Sequence, residues 1–259
     1  MNVSDAGRLD IDAIERDVAA LTVGSPIHYV PVTGSTNALA RELALAGATP
    51  GTLVITDYQS AGRGRQGRIW DAKPGQDLTF SLILRPLFSP HLLTMACAVA
   101  VADALAGSAG IAARIKWPND VLVDGKKLCG ILIETDGVTT IAGIGINVGG
   151  TFTGDPELGQ RAASLADVGA GALSRERLLV EVLRRLAAIY DDLQSSGAAA
   201  ATRLMRQWTA ELETLGRVVT VHQHDGEITG YAEAVESDGA LVLRLDDGTR
   251  AVVRWGDVL

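Results

Sequence analysis

Between Asp10 and Leu21 the apolar residues Ile11, Ile14, Val18 and Leu21 recur at helical spacing before Gly24-Ser25-Pro26, which predicts a short amphipathic helix. A strand is expected over 27–32. After it, Thr33 or Ser35 is placed to cap a helix whose apolar face runs through Leu39, Leu43 and Ala46 until Gly47 ends it. Residues 52–59 are apolar and β-branched enough for a buried strand, and 78–86 read as another. Residues 92–107 form an apolar run without a polar face, expected as a helix packed on a sheet.

From Ala112 to Val148 the pattern becomes short strands, 113–118, 120–123, 127–135 and 140–148, joined at Asp124-Gly125 and Asp136-Gly137. Asp-Gly between apolar runs signals a hairpin, because both central residues of a type I′ turn need positive φ. Two packing helices are expected next, from Ser174 to about Gln194 and from about Ala199 to Leu212, parted by Ser195-Ser196-Gly197. Beyond Arg217 only short strands and turns remain, which reads as a small all-β barrel. The fold class expected is α+β: a mixed, largely antiparallel sheet packed with helices over 1–215, and a small β domain over 216–259.

Composition narrows the function classes. A chain of 259 residues, 47% apolar and 4% aromatic, buries a core without staples. Its net charge of -8 opposes the broad basic field of a protein that lives on DNA or an anionic membrane. Cys97 and Cys129 lie in apolar surroundings without metal-ligand spacing, as buried reduced thiols do. Residues 1–21 lack the basic start and apolar core of a signal peptide, and no run reaches about 20 charge-free apolar residues. The protein is therefore expected in the cytoplasm, with neither DNA nor membrane as partner.

The chemistry concentrates in a few segments. Residues 62–70, GRGRQGRIW, place three glycines and three arginines directly after a strand. Glycines let backbone bend closely round a ligand, and guanidinium forks suit phosphate or carboxylate oxygens. A solvated basic loop or a nucleic-acid contact would also use such residues. The acidic whole and the lack of interleaved aromatics weigh against the second. The segment is neither a Walker A loop nor a dinucleotide fingerprint, since the endings and glycine spacing of both are missing. IKWPND, residues 115–120, gathers Lys116, Asn119 and Asp120 at a proline-fixed corner. Lys127 starts an otherwise apolar strand, where its ammonium either crosses the sheet face toward an anion or simply snorkels. Alternating glycines in GIGINVGG, 143–150, weaken a strand and mark close approach of another group. Ser35, Thr36 and Asn37 stand at a helix start. The four histidines are scattered, and no Ser-His-Asp or Cys-His arrangement is present.

In this order and spacing STN, YQSAGRGRQGRIW, KWPND, KKLCGIL and GIGIN resemble the biotin protein ligase family, and the C-terminal β segment resembles its small SH3-like domain. The resemblance implies a catalytic fold like that of class II aminoacyl-tRNA synthetases. It also implies the reaction: biotin and ATP give biotinyl-5′-AMP, and biotin then passes to a lysine of a biotin carboxyl carrier protein of an acyl-CoA carboxylase. Both nucleophiles belong to substrates, which accounts for the missing triad. By the same resemblance Ser35, Thr36, Asn37, Gln59, Gly62, Gly64 and Gly130 border biotin. Arg63, Arg65 and Lys127 surround its carboxylate and the α-phosphate; Arg68 and Lys116 reach phosphates. Trp70 packs beside the adenine, Asn147 reads its edge, and Asn119 belongs to the ATP side. Asp120 either orients the incoming lysine or braces Lys116. Mg2+ accompanies the triphosphate, through ligands the sequence does not name. The few residues before Ile27 imply the monofunctional type without a DNA-binding domain, as a monomer or weak homodimer. The alternatives are a lipoate or octanoate ligase and a non-enzymatic biotin or nucleotide sensor.

Overall fold

The structure, a computed structural model, describes residues 7–152 and 157–259. The first six residues of the N-terminal segment read for a signal peptide lie outside the described residues.

α1 (Ile11–Val18) is shorter than its periodicity suggests. Asp10 caps it by accepting from Ala13 N at 2.9 Å, and Ile14 and Val18 face the core. β1 (Ile27–Thr33), α2 (Thr36–Leu45), β2 (Leu53–Gln59) and β3 (Leu78–Leu84) follow, then α3 (Pro90–Ala109). α3 has the length and apolarity of a membrane span, yet most of it is buried, packed chiefly against α5 (Arg175–Glu211) and also against the sheet. Burial on all sides explains why its sequence shows no polar stripe. β4 (Arg114–Lys116), β5 (Asp120–Val123), β6 (Lys126–Thr135) and β7 (Thr140–Ile146) complete a seven-stranded sheet in the order β1-β2-β3-β7-β6-β5-β4. β1 and β2 pair in parallel; every other neighbouring pair is antiparallel.

Both expected Asp-Gly turns are present, built differently. Asp124 (φ 51°) and Gly125 (φ 74°) both take positive φ, as a type I′ turn demands. At Asp136-Gly137 only the glycine does; Asp136 Oδ1 instead accepts from Val138 N and Thr139 N at 3.0 and 2.7 Å, an Asx turn that closes a longer loop. The two helices expected around Ser195-Ser196-Gly197 are one element, α5. Gly197 (φ 49°, ψ -118°) kinks it rather than separating two helices by a loop. A short α4 (Leu158–Arg161), which no sequence pattern announced, precedes it.

The C-terminal strands β8 (Val218–Gln223), β9 (Gly226–Val235), β10 (Leu241–Arg244), β11 (Arg250–Val253) and β12 (Asp257–Val258) form a five-stranded antiparallel sheet, ordered β11-β10-β9-β8-β12. It is not detached from the larger unit. Trp117 Nε1 donates to Gly239 O at 2.9 Å, and its core residues Val221, Leu241 and Val253 continue the main hydrophobic cluster.

One irregularity positions the site. Between Val121 and Leu122 the β5–β6 register shifts, so that Leu128 has no partner on β5. Leu128 and Cys129 both enter the core, and this extra residue turns Lys127 to the same face as Gly130.

Candidate functional site

That face is the floor of an open cleft walled by the start of α2, the loop 62–70, and β3, β6 and β7. Ser35, Thr36, Asn37, Gln59, Arg63, Gly64, Arg65, Arg68, Trp70, Asn119, Lys127 and Gly130, all read from the sequence as site residues, line it.

At one end the wall is polar. Ser35 occupies the N-cap position of α2 yet makes no capping bond, so its hydroxyl is not used by the helix. Thr36 donates to Gln59 Oε1 through its backbone N at 2.8 Å, and its hydroxyl lies 3.0 Å from the same oxygen. Gln59 Oε1 is thereby held against α2, and its Nε2 lies toward Gly62, where a side chain would meet it at 3.0 Å. Asn37 reaches the wall with its amide already engaged: Nδ2 donates to Glu134 Oε2 at 2.8 Å and Leu132 O at 3.4 Å, and Oδ1 lies 2.6 Å from Ser81 Oγ.

The alternating glycines make room for these groups. A Cβ on Gly143 would stand 2.1 Å from Asn37 Oδ1, and one on Gly145 would stand 2.5 Å from the Trp70 ring. Gly130 and Gly145 are cross-strand partners, and together they leave a bare patch on the sheet against which the indole packs.

At the other end the cleft is cationic. The loop 62–70 is a narrow hairpin: Arg63 bridges Ile69, Gly64 N donates to Arg68 O at 2.7 Å, and Trp70 N donates to Gly62 O at 3.0 Å. Arg63 and Arg68 are exposed, and Arg65 is half-buried, which separates it from the ordinary solvated arginine. Arg65 donates to Asn119 Oδ1 at 3.0 Å and lies 3.6 Å from Asp257. Burial pushes its pKa down, while the Asp257 and Asp120 carboxylates pull it back up. Arg68 pairs with Asp257 at 2.6 Å. The Lys127 ammonium sits 5.7 Å from the Trp70 ring centre and 2.7 Å from Asp120. It therefore crosses the sheet face rather than snorkelling outward. Among the described residues four cations face the cleft, Arg63, Arg65, Arg68 and Lys127, against the Asp120 and Asp257 carboxylates at its edge. In a chain of net charge -8 this local excess suits an anionic ligand.

Four residues named from the sequence stand outside the lining. Lys116 is close enough to Asp120, Lys127 and Asp257 to be influenced by them, and burial pushes its pKa down. Asp120 pairs with Lys127 in this arrangement. Asn147 turns its Nδ2 away to Ala163 O at 3.0 Å and Lys127 O at 3.4 Å, fixing the backbone at the start of β6. Gly62 lies under the loop, where a Cβ would collide with Trp70 O at 2.5 Å. The sequence reading did not find Ser81, Glu134 or Asp257. Ser81, a lone hydroxyl amid the apolar end of β3, carried a usable signal; Asp257, near the chain's end, carried none.

Comparison with known proteins agrees with this geometry. The Biotin/lipoate A/B protein ligase family matches residues 29–150, and the Biotin protein ligase C terminal domain matches 214–258. The biotin--[acetyl-CoA-carboxylase] ligase of Mycobacterium tuberculosis is 33% identical, over 99% of this chain and 99% of that protein. The bifunctional ligase/repressor BirA of Bacillus subtilis is also 33% identical, over 96% of this chain and 79% of its own length. Among solved structures, the biotin protein ligase from Aquifex aeolicus in complex with biotin and ATP superposes with a TM-score of 0.79 at 26% identity, covering 91% of this chain and 98% of that one. The fold and cleft are thus those of a ligase class that handles biotin and ATP. This chain belongs to the biotin protein ligase family.

Proposed function

We propose that the protein forms biotinyl-5′-AMP from biotin and ATP and then biotinylates a lysine of a biotin carboxyl carrier protein. The observation that carries this reading is one cleft with a polar end at Thr36 and Gln59 and a cationic end at Arg65 and Lys127. The ureido ring of biotin fits the first, and its carboxylate extends toward the second. There a carboxylate oxygen attacks the α-phosphorus of ATP and pyrophosphate leaves. The ε-amine of the acceptor lysine then attacks the acyl carbon, AMP leaves, and one proton is released as the amide forms.

Two anions must converge for the first step, so fixed cations at their junction lower its barrier. Arg63, Arg65 and Lys127 take that place, Arg68 and Lys116 meet the outer phosphates, and Trp70 flanks the adenine. Asn119 acts by holding Arg65, and Asp120 by holding Lys127 until the acceptor lysine enters. Asn147 supports the adenine side by fixing the backbone of Lys127. Mg2+ would accompany the triphosphate, held mainly by phosphate oxygens and water. The division into a catalytic unit over 1–215 and a β domain over 216–259 follows the two sheets. Two free, buried thiols and the need for ATP suit the cytoplasm. A lipoate or octanoate ligase would have no use for the polar wall.

Lys127→Ala and Arg65→Ala should each slow adenylate formation by about 10²–10³-fold, the usual effect of removing one donor to developing charge. Near-normal pyrophosphate release from a folded variant would remove that residue from the mechanism.

A further inference from the structure

Asn37 cannot face its surroundings either way round. Glu134 is a carboxylate and only accepts, so the Asn37 amide must present Nδ2 to Oε2 at 2.8 Å, and Oδ1 must then face Ser81 Oγ at 2.6 Å. An amide oxygen also only accepts. Ser81 has one proton, and that contact claims it, so across the 2.7 Å contact with Thr36 Oγ1 the Thr36 hydroxyl is the donor. Thr36 in turn fixes Gln59 through its backbone N–H, so that Gln59 Oε1 faces the helix. A single charge at Glu134 therefore orders the donors and acceptors of three neutral side chains along the polar wall, Asn37, Ser81 and Thr36, beside a Gln59 that the Thr36 backbone N–H holds. Arg41 engages the other carboxylate oxygen, Oε1, at 2.8 Å, which leaves Oε2 free for Asn37. Asn37 and Ser81 are buried, so misdirected groups there would have no water to turn to.

We infer that Glu134, acting through Asn37 and Ser81, is a positioning residue that fixes the hydrogen-bonding polarity of the cleft's polar end and so sets its preference for a ureido-bearing acid over a plain alkanoic or dithiolane acid. This rests on the biotin reading above. Glu134 is remote in role from the cationic end, so its contribution falls on ligand binding and selectivity rather than on the chemical step.

The test is calorimetric titration of biotin, alongside pyrophosphate-release kinetics with biotin and with octanoate, on the full chain and three variants. In Glu134→Gln the new amide can offer Asn37 either a donor or an acceptor, and the order is lost. The Kd and KM for biotin should rise about tenfold, as for loss of a hydrogen bond to a charged group. The kcat at saturating biotin and the KM for ATP should stay within about twofold. The biotin-to-octanoate ratio of kcat/KM should fall by the same factor as biotin affinity. Ser81→Ala should have a similar effect, and the double variant should be no worse than either single one, because both act through Asn37. Unchanged biotin affinity in Glu134→Gln, additive losses in the double variant, or a parallel fall in kcat and melting temperature would each overturn the inference. A wild-type chain that binds no biotin would overturn the functional reading, and this inference with it.

Discussion

At Gly145 a methyl group would have to occupy space 2.5 Å from the Trp70 ring. Its backbone lies in ordinary strand conformation, so Gly145→Ala should fold while forcing the indole off the sheet. Adenylate formation should drop by about tenfold or more from misplacement alone, with tryptophan emission shifted to the red. Unshifted emission and full activity would contradict the packing described here. The alternating glycines announced close approach in the sequence, but not of what. The visitors, Asn37 and Trp70, come from segments over 70 residues away and are adjacent only through the sheet. Lys127 was legible as a lysine at an apolar strand's start. Its direction depends on the bulge at Leu128, which an alternation pattern does not reveal. Ser35 illustrates the opposite case, since its position suggested a cap and the structure leaves its hydroxyl uncommitted.

Among the elements, hydrophobic periodicity located the long helices and most strands, and turn chemistry located the hairpins. The single helix α5 differs from the two expected because Gly197 tolerates a kink that the flanking helices absorb. The element contacts least visible in sequence are polar ones. Asp57 on β2 holds the Arg175 guanidinium at the start of α5 at 3.2 Å, accepts from Leu9 N at 3.2 Å, and accepts from the Tyr29 hydroxyl on β1. Asp57→Ala leaves a buried guanidinium unpaired and should cost ~3–5 kcal/mol in urea denaturation. Burial first, then the Asp57 hydrogen bond and charge, push the Tyr29 pKa up to about 12. The unfolded value is about 10, so the fold favours the neutral phenol. That contribution is complete below pH ~10 and disappears as pH rises through the folded value. Tyr29→Phe should remove this alkaline loss; identical alkaline denaturation curves for the two proteins would refute the assignment.

Across the whole molecule, the arginines of the loop 62–70 are tethered to the second sheet. Asp257 on β12 pairs with Arg68 at 2.6 Å and lies 3.6 Å from Arg65, joining the last strand to the cationic end of the cleft. Asp257→Asn should loosen the loop by ~1 kcal/mol, seen as roughly fivefold faster hydrogen exchange across 63–69 with β8–β12 unaffected. Unchanged protection there would mean that the hairpin's own bonds close the loop. This link was illegible because it depends on how two separately predicted units dock. The architecture of each unit, and the run of motifs from Ser35 to Asn147, could be read from the chain itself; their convergence on one cleft required the seven-stranded order.

The central claim concerns one reaction, so the most direct measurement is pyrophosphate release from Mg-ATP with biotin and, in parallel, lipoate, together with the mass of the product retained by the protein. Biotin-dependent release with biotinyl-AMP bound is the predicted result. Release driven by lipoate alone, or by neither acid, would contradict it.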